Sequence, residues 1–196
     1  MKYLFLDTST TNLVVAIVID GKITYKYDEK TLNNMSVKLM PTIDEALTKS
    51  NISIKDIDKV FVCHGPGSFT GIRIGLTFAK TLAWTLSIPV VPVSSLEVLA
   101  SKHASMALVN ARRGYVYAGG YNNALDCIYE DKYTLLSEIK TDLPFISYDD
   151  LDIEVEMPAI DVLKVINKHK DETGVNPHSL NPVYLKQTEA EENLNA

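Results

Sequence analysis

The sequence predicts an α/β protein made of two related units, and three observations carry that prediction. The chain opens with three runs rich in β-branched and aromatic residues, at 2–8, 13–19 and 22–28. Beyond them, continuous apolar runs alternate with stretches of helical periodicity. Finally, the plan of strand, polar turn and strand in "LFLDTSTTNLVVAIVI" returns in "MALVNARRGYVYAGGY" in the second half.

Asp20-Gly21, between the second and third runs, is a two-residue hairpin signal, so the three opening strands are predicted antiparallel. From about Leu32 to Leu47, apolar residues at Met35, Leu39, Ile43, Ala46 and Leu47 recur at helical spacing. Pro41 is expected to kink this helix or to move its start to near Met40. "KVFVCHG" (59–65) is the near-continuous apolar run of a strand buried on both faces. A helix from Gly71 to about Leu86, with Thr70 as its cap, should follow. Pro89 and "VVPV" make a further strand, and "SSLEVLASK" a short helix capped by Ser94 or Ser95.

The first hundred residues thus read β-β-β-α-β-α-β-α. The recurring hairpin then sets Asn110 where Asp7 stood. After it come a polar turn at Asn122-Asn123, strands near 125–135 and 144–148, and a helix near 159–170. This divides the chain into 1–103 and 104–196, the second part ending in an acidic, frayed "EAEENLNA".

Composition narrows the function. A net charge of −6 argues against a broad, sequence-independent nucleic-acid surface, so any RNA contact is local or delegated to a partner. Two cysteines, Cys63 and Cys127, make neither a metal clip nor a disulfide framework, which suits a reducing cytoplasm. The opening apolar run is broken at Asp7 before it reaches the length of a signal peptide, and no window approaches a membrane span.

The stretch "HGPGSFTGIRIG" (64–75) invites a phosphate-loop reading and fails it. No Lys-Ser or Lys-Thr follows the last glycine of "GPGSFTG", its spacing is not G-x-G-x-x-G, and Ser68 is not in G-x-S-x-G. An anion site at the helix start, with Ser68 and Thr70, remains possible beside a plain turn. Within the helix, Gly71, Gly75, Ala79 and Ala83 line one face with small residues. Glycine costs roughly 1 kcal/mol there relative to alanine, so something must approach closely. That something is either the chain's own sheet or a partner helix, and the sequence leaves both open.

Asp7 and Thr8, at the end of the first strand, lie where a sugar kinase or actin-like ATPase places its first phosphate hairpin. "DTSTTNL" lacks the usual glycine, and Asn110 offers no carboxylate in the second hairpin, so hydrolysis by this chain alone is not expected. His64, His103, His169 and His178 form no ligand spacing, and neither a catalytic set nor a metal site is predicted. Arg112 and Arg113 sit in the second hairpin, where they could meet phosphate or RNA, though solvated turn residues are the commoner outcome. Tyr115, Tyr117 and Tyr121 alternate onto one strand face, more often a packing than a stacking arrangement.

"LFLDTST", "GPGSFTGIRIG", "NARRGYVYAGGY" and "NPVYLKQTEAE", in that order, resemble the TsaB (YeaZ) family across the whole chain. The resemblance implies an actin-like, ribonuclease-H-related fold in two subdomains, the second trimmed. It implies a non-catalytic subunit that supports TsaD, with the ATPase TsaE joining the pair, in making threonylcarbamoyladenosine beside the anticodon of tRNAs reading codons that begin with A. No cofactor of its own is implied; ATP and a metal ion belong to the partner subunits, and tRNA contact is indirect or uncertain. It further implies a helical partner interface formed by Met35, Leu39, Ile43, Gly71, Ile72, Gly75, Leu76, Ala79 and Ala83, a face that a homodimer could share. Asn110 departs from the family's "DAR", Tyr115 from a frequent glutamate and Met35 from a frequent histidine, which weakens any residual active site. The competing readings are a stand-alone, glycoprotease-like hydrolase and an actin-like small-molecule kinase.

Overall fold

The computed structural model describes residues 1–31 and 34–186. Strands β1 (Lys2–Asp7), β2 (Asn12–Ile19) and β3 (Lys22–Lys30) form an antiparallel meander. Asp20 and Gly21 turn its second hairpin at positive φ, 47° and 76°, as an Asp-Gly pair allows without strain. Helix α1 (Met35–Lys49), strand β4 (Lys59–Cys63), helix α2 (Phe69–Leu86), strand β5 (Val90–Val93) and helix α3 (Ser95–Leu99) follow. The first sheet has the order β3-β2-β1-β4-β5, with β1, β4 and β5 parallel. That order and the crossover helices make this an α/β, actin-like fold.

Strands β6 (Ser105–Asn110), β7 (Tyr115–Tyr121), β8 (Cys127–Leu135) and β9 (Phe145–Ile146) form a second sheet in the order β8-β7-β6-β9. Its β6–β7 hairpin repeats the β1–β2 hairpin, and Asn110 ends β6 as Asp7 ends β1. Helix α4 (Val162–His169) completes the set.

The pleat of the first sheet sends alternate residues into two cores. Leu4, Leu6, Val60 and Val62 meet Leu39 and Ile43 of α1 and Ile72 and Leu76 of α2. Phe5, Phe61, Val91 and Val93 meet Val162, Val165 and Ile166 of α4. Between the sheets, Leu96 and Leu99 of α3 pack on Ala107, Val109, Tyr121 and Ile146. After α4 the chain returns to the first sheet: Val175 bridges Val90, Leu180 is buried in the α1–α2 core, and the Val183 N–H donates to the His64 carbonyl at 2.8 Å.

One of two alternatives and one cap are corrected. α1 starts at Met35, close to the expected Leu32 and not at the alternative start near Met40, and it continues through Pro41. One i→i−4 hydrogen bond is lost there, and the shared burial of Leu39, Thr42, Ile43 and Ala46 outweighs it. α2 is capped by Ser68, not Thr70: the Ser68 hydroxyl accepts from the Gly71 N–H at 3.2 Å, while Thr70 already lies in the first turn. Leu32 and the acidic tail 189–196 lie outside the described residues. Among those described, no helix is long and apolar enough to cross a membrane.

Candidate functional site

Helix α2 presents two unlike faces, and its glycines decide which face is which. A Cβ on Gly71 would run into the Thr8 carbonyl oxygen, one on Gly75 into Thr8 Oγ1, and one on Gly67 into the Ser9 carbonyl oxygen. The backbone of Thr8 and Ser9 and the hydroxyl of Thr8 therefore lie where side chains would have to be. The contact is pinned by two hydrogen bonds, Thr8 Oγ1 to the Gly71 carbonyl and the Ser68 N–H to the Ser9 carbonyl, both at 2.7 Å. Farther along, Ala79 and Ala83 join the core under the sheet. The small-residue row is thus fitted to the chain's own first hairpin and sheet.

The residues that the resemblance assigns to a partner interface lie mostly inside the chain. Leu39, Ile43, Gly71, Ile72, Gly75, Leu76, Ala79 and Ala83 are all buried within the chain, and Met35 packs half-buried against the same core. Leu39 also borders a groove between α1 and α2, and the other seven are enclosed by the chain itself.

The suggested anion contact is largely taken up in the same way. Asp7 is fully buried; its Oδ1 accepts from the Ser9 N–H at 2.8 Å and the Ser9 hydroxyl at 2.6 Å, while Oδ2 has no partner. Burial pushes its carboxyl above the ordinary carboxylate range, although the Ser9 hydrogen bonds act the other way. A carboxyl closed off from solvent is poorly placed to hold a cation or act as a base. Thr8 and Ser68 are engaged as described, and Thr70 is exposed. Arg112 and Arg113 sit exposed in the other hairpin, and no recorded hydrogen bond or ion pair brings either to Asp7. Among the described residues, no three His, Cys, Asp or Glu side chains converge as a metal site would require.

The outer face of α2 is different. With α1 it walls an open groove of about 640 Å³, lined chiefly by Met40, Phe69, Arg73, Ile74, Thr77 and Phe78. Met40 and Phe69 are more than half exposed. The Arg73 guanidinium lies 3.8 Å from the Phe69 ring centroid, and its Nε donates to the Tyr184 hydroxyl at 2.8 Å. Tyr184 in turn stacks on Phe69 with centroids 5.3 Å apart. The returning C-terminal segment thus packs against two residues that line the groove. The resemblance assigns the interface to the stretch 71–84 and the preceding helix, which contain Arg73, Ile74, Thr77 and Phe78, but it singles out the small-residue row instead. The available signal was Phe69, Ile74 and Phe78, large apolar residues on an amphipathic helix yet off its small-residue row.

A second unforeseen cluster joins α3 to α4. Buried Glu97 receives His169 Nε2 at 2.7 Å and Lys168 Nζ at 3.2 Å, and His169 Nδ1 faces Glu172. The hydrogen bond to Glu97 raises the His169 pKa, partial burial opposes this, and Glu172 adds to the rise.

Comparison with known proteins settles the lineage. The family model described as TsaD, tRNA N6-adenosine threonylcarbamoyltransferase, matches residues 26–142. The tRNA threonylcarbamoyladenosine biosynthesis protein TsaB of Bacillus subtilis is 38% identical over 146 residues, covering 70% of this chain and 64% of that protein. The chain belongs to the TsaB family. It spans a little under two thirds of the length of the first curated TsaB relatives that it matches. The structure of YeaZ from Pseudomonas aeruginosa, 23% identical, superposes with a TM-score of 0.77 over 94% of this chain and 99% of that one. A second structure, described as similar to the peptidase YeaZ from the same organism, gives 0.79 at 22% identity, with the same coverage of both chains.

Asn110, Tyr115 and Met35 have plain structural places. Asn110 Oδ1 accepts from the Arg112 N–H at 2.7 Å and its own N–H donates to Asp149, so it shapes the hairpin. Tyr115 stacks on Tyr133, and Met35 packs under α1.

Proposed function

We propose that this chain is a non-catalytic subunit of an assembly that makes threonylcarbamoyladenosine in tRNA, and that it pairs with a TsaD-like paralogue through the groove between α1 and α2. Membership of the TsaB family supports the pathway. The groove supports the mode of action and is the observation that carries the reading, because an apolar, aromatic-lined surface rimmed by polar residues is what a partner helix buries.

The partner follows from the chain's own kinship. A protein that matches the TsaD family model shares its α1–β4–α2 region with TsaD-like proteins, since the match runs through 26–142. Such a paralogue brings a like pair of helices, and two pairs can pack face to face about a pseudo-twofold axis. A second copy of this chain could use the same face until the paralogue replaces it, and a TsaE-like ATPase would join the assembled pair. The enclosure of Asp7 out of solvent supports a supporting rather than a catalytic role, and the same feature disfavours the kinase and hydrolase readings.

The test is reconstitution. The purified chain, mixed with its TsaD-like paralogue, should form a stoichiometric complex and be required for threonylcarbamoyl transfer to tRNA, while hydrolysing no ATP alone. Full transfer without it, or no complex by calorimetry, would overturn the reading.

A further inference from the structure

The β6–β7 hairpin carries a cationic tip that the partner groove does not use. Arg112 and Arg113 are both exposed, and neither guanidinium has an ion-pair partner among the described residues. In a chain with a net charge of −6, two adjacent exposed arginines concentrate positive charge locally. The tip is held in shape. Arg112, Arg113 and Gly114 all have positive φ, at 69°, 54° and 79°, a conformation that residues with a Cβ adopt at an energetic cost. Asn110 Oδ1 on the Arg112 N–H, the Tyr115 N–H on the Arg112 carbonyl and the Leu136 N–H on the Gly114 carbonyl fix it, at 2.7, 3.0 and 2.9 Å. The Asp149 carboxylate accepts from the Asn110 N–H at 2.8 Å where β6 enters the turn, so one negative charge stands close to the tip.

Beside the tip stand aromatic faces. Tyr115 and Tyr133 stack at 4.7 Å with only 7° between their planes, and Tyr117 lies 5.8 Å from Tyr133. All three are only half-buried. Lys186 Nζ sits 5.6 Å from the Tyr133 ring centroid, adding a third cation. Tyr121, on the same strand face, is buried and donates its hydroxyl to Asp131, so the face changes from core to open platform along β7.

We propose that this hairpin and its tyrosine stack bind single-stranded RNA, with phosphates at Arg112 and Arg113 and an unpaired base on the Tyr115–Tyr133 stack. Flat parallel rings beside cations fit a base and its phosphate, and bases in a duplex are not free to stack on them. The −6 charge of the chain confines the contact to a few nucleotides. The inference rests on the reading of the chain as a subunit of a tRNA-modifying assembly, whose substrate would supply an unpaired anticodon loop.

The test is fluorescence anisotropy of a labelled oligouridine, and of an anticodon stem-loop RNA, titrated with the full chain at low salt. Saturable binding is expected, with salt dependence. Arg112→Ala with Arg113→Ala should reduce the slope of log affinity against log salt by about 1.4, for two phosphates on a single strand. Tyr133→Ala should weaken binding by about 5- to 100-fold, as loss of one base–aromatic stack does, while Tyr133→Phe should retain it. The melting temperature of each variant separates a lost contact from a lost fold. Absence of saturable binding, unchanged binding in these variants, equal competition by duplex RNA, or displacement by ATP as readily as by unlabelled oligouridine would each overturn the proposal. Failure here with paralogue binding intact removes only the RNA contact; RNA binding with no paralogue complex removes only the assembly reading.

Discussion

The inner and outer faces of α2 are made from the same eighteen residues and obey different rules. On the inner face, side-chain absence is the feature: Gly71 and Gly75 let the helix lie on the backbone and hydroxyl of Thr8. On the outer face, side-chain presence is the feature: Phe69, Ile74 and Phe78 stand beside a groove that the chain does not fill. A row of small residues looks like an invitation to a partner helix, but here the first hairpin has already accepted it. Interfaces are found by asking what remains uncovered, and the burial of a motif answers that before its spacing does.

The strongest way to break the comparison is Gly71→Ala. Its new Cβ meets a backbone carbonyl, which cannot swing aside as a flexible side chain would. Overpacking of roughly 3 kcal/mol should exceed the gain of about 1 kcal/mol in helix propensity. For a chain of this size that lowers the melting temperature by about 4–8 °C. An unchanged melting curve would show that the hairpin can yield and that the inner face is not fixed.

A smaller effect of opposite sign sharpens the inner side. Asp7→Asn keeps an oxygen to accept from Ser9 and removes a charge that burial disfavours. It should stabilise the chain by about 1 kcal/mol near neutral pH, the order expected when a buried group's desolvation is relieved. A destabilised variant would mean that the buried carboxylate is required in its charged form.

How far the sequence reached depends on the range of the forces involved. The β1–β2–β3 meander, the doubly buried β4 and the recurrence of the first hairpin in β6–β7 were legible because strand periodicity and Asp-Gly turn chemistry are local. The start of α1 was left open between about Leu32 and Met40 because one proline weighs heavily in a local reading and lightly against the burial of Leu39 and Ile43. The direction faced by Gly71 and Gly75 was not legible at all: it is set by Thr8, sixty-three residues from Gly71 in sequence. The groove was missed for the same reason, since α1 and α2 wall it together.

The smallest expected effect lies on the far side of the sheet, away from both faces of α2. Glu97, and after it Glu172, hold a proton on His169 more tightly in the folded chain, with Lys168 on the same Glu97. Lys59 caps the end of α4 nearby through the Lys170 and Glu172 carbonyls. This stabilisation is full below the ordinary imidazole pKa and is lost as pH rises through the higher folded value. The melting temperature should therefore fall slightly from pH 6 to 8, by less than roughly 1 kcal/mol equivalent. His169→Gln should flatten that slope, and an unaltered slope would assign it to other groups.

The central claim is that neighbouring positions on one helix serve the fold and the partner separately. It is tested most directly by Gly75→Leu and Thr77→Arg, each examined by thermal unfolding of the isolated chain and by calorimetric titration with the TsaD-like paralogue. Gly75 abuts Thr8 Oγ1, so its leucine should cost the chain roughly 1–3 kcal/mol of stability. Thr77 is exposed and lines the groove, so its arginine should leave stability within about 0.5 kcal/mol while weakening association tenfold or more. A Gly75→Leu chain as stable as the parent but unable to bind the paralogue, or a Thr77→Arg chain with full affinity, would contradict the account.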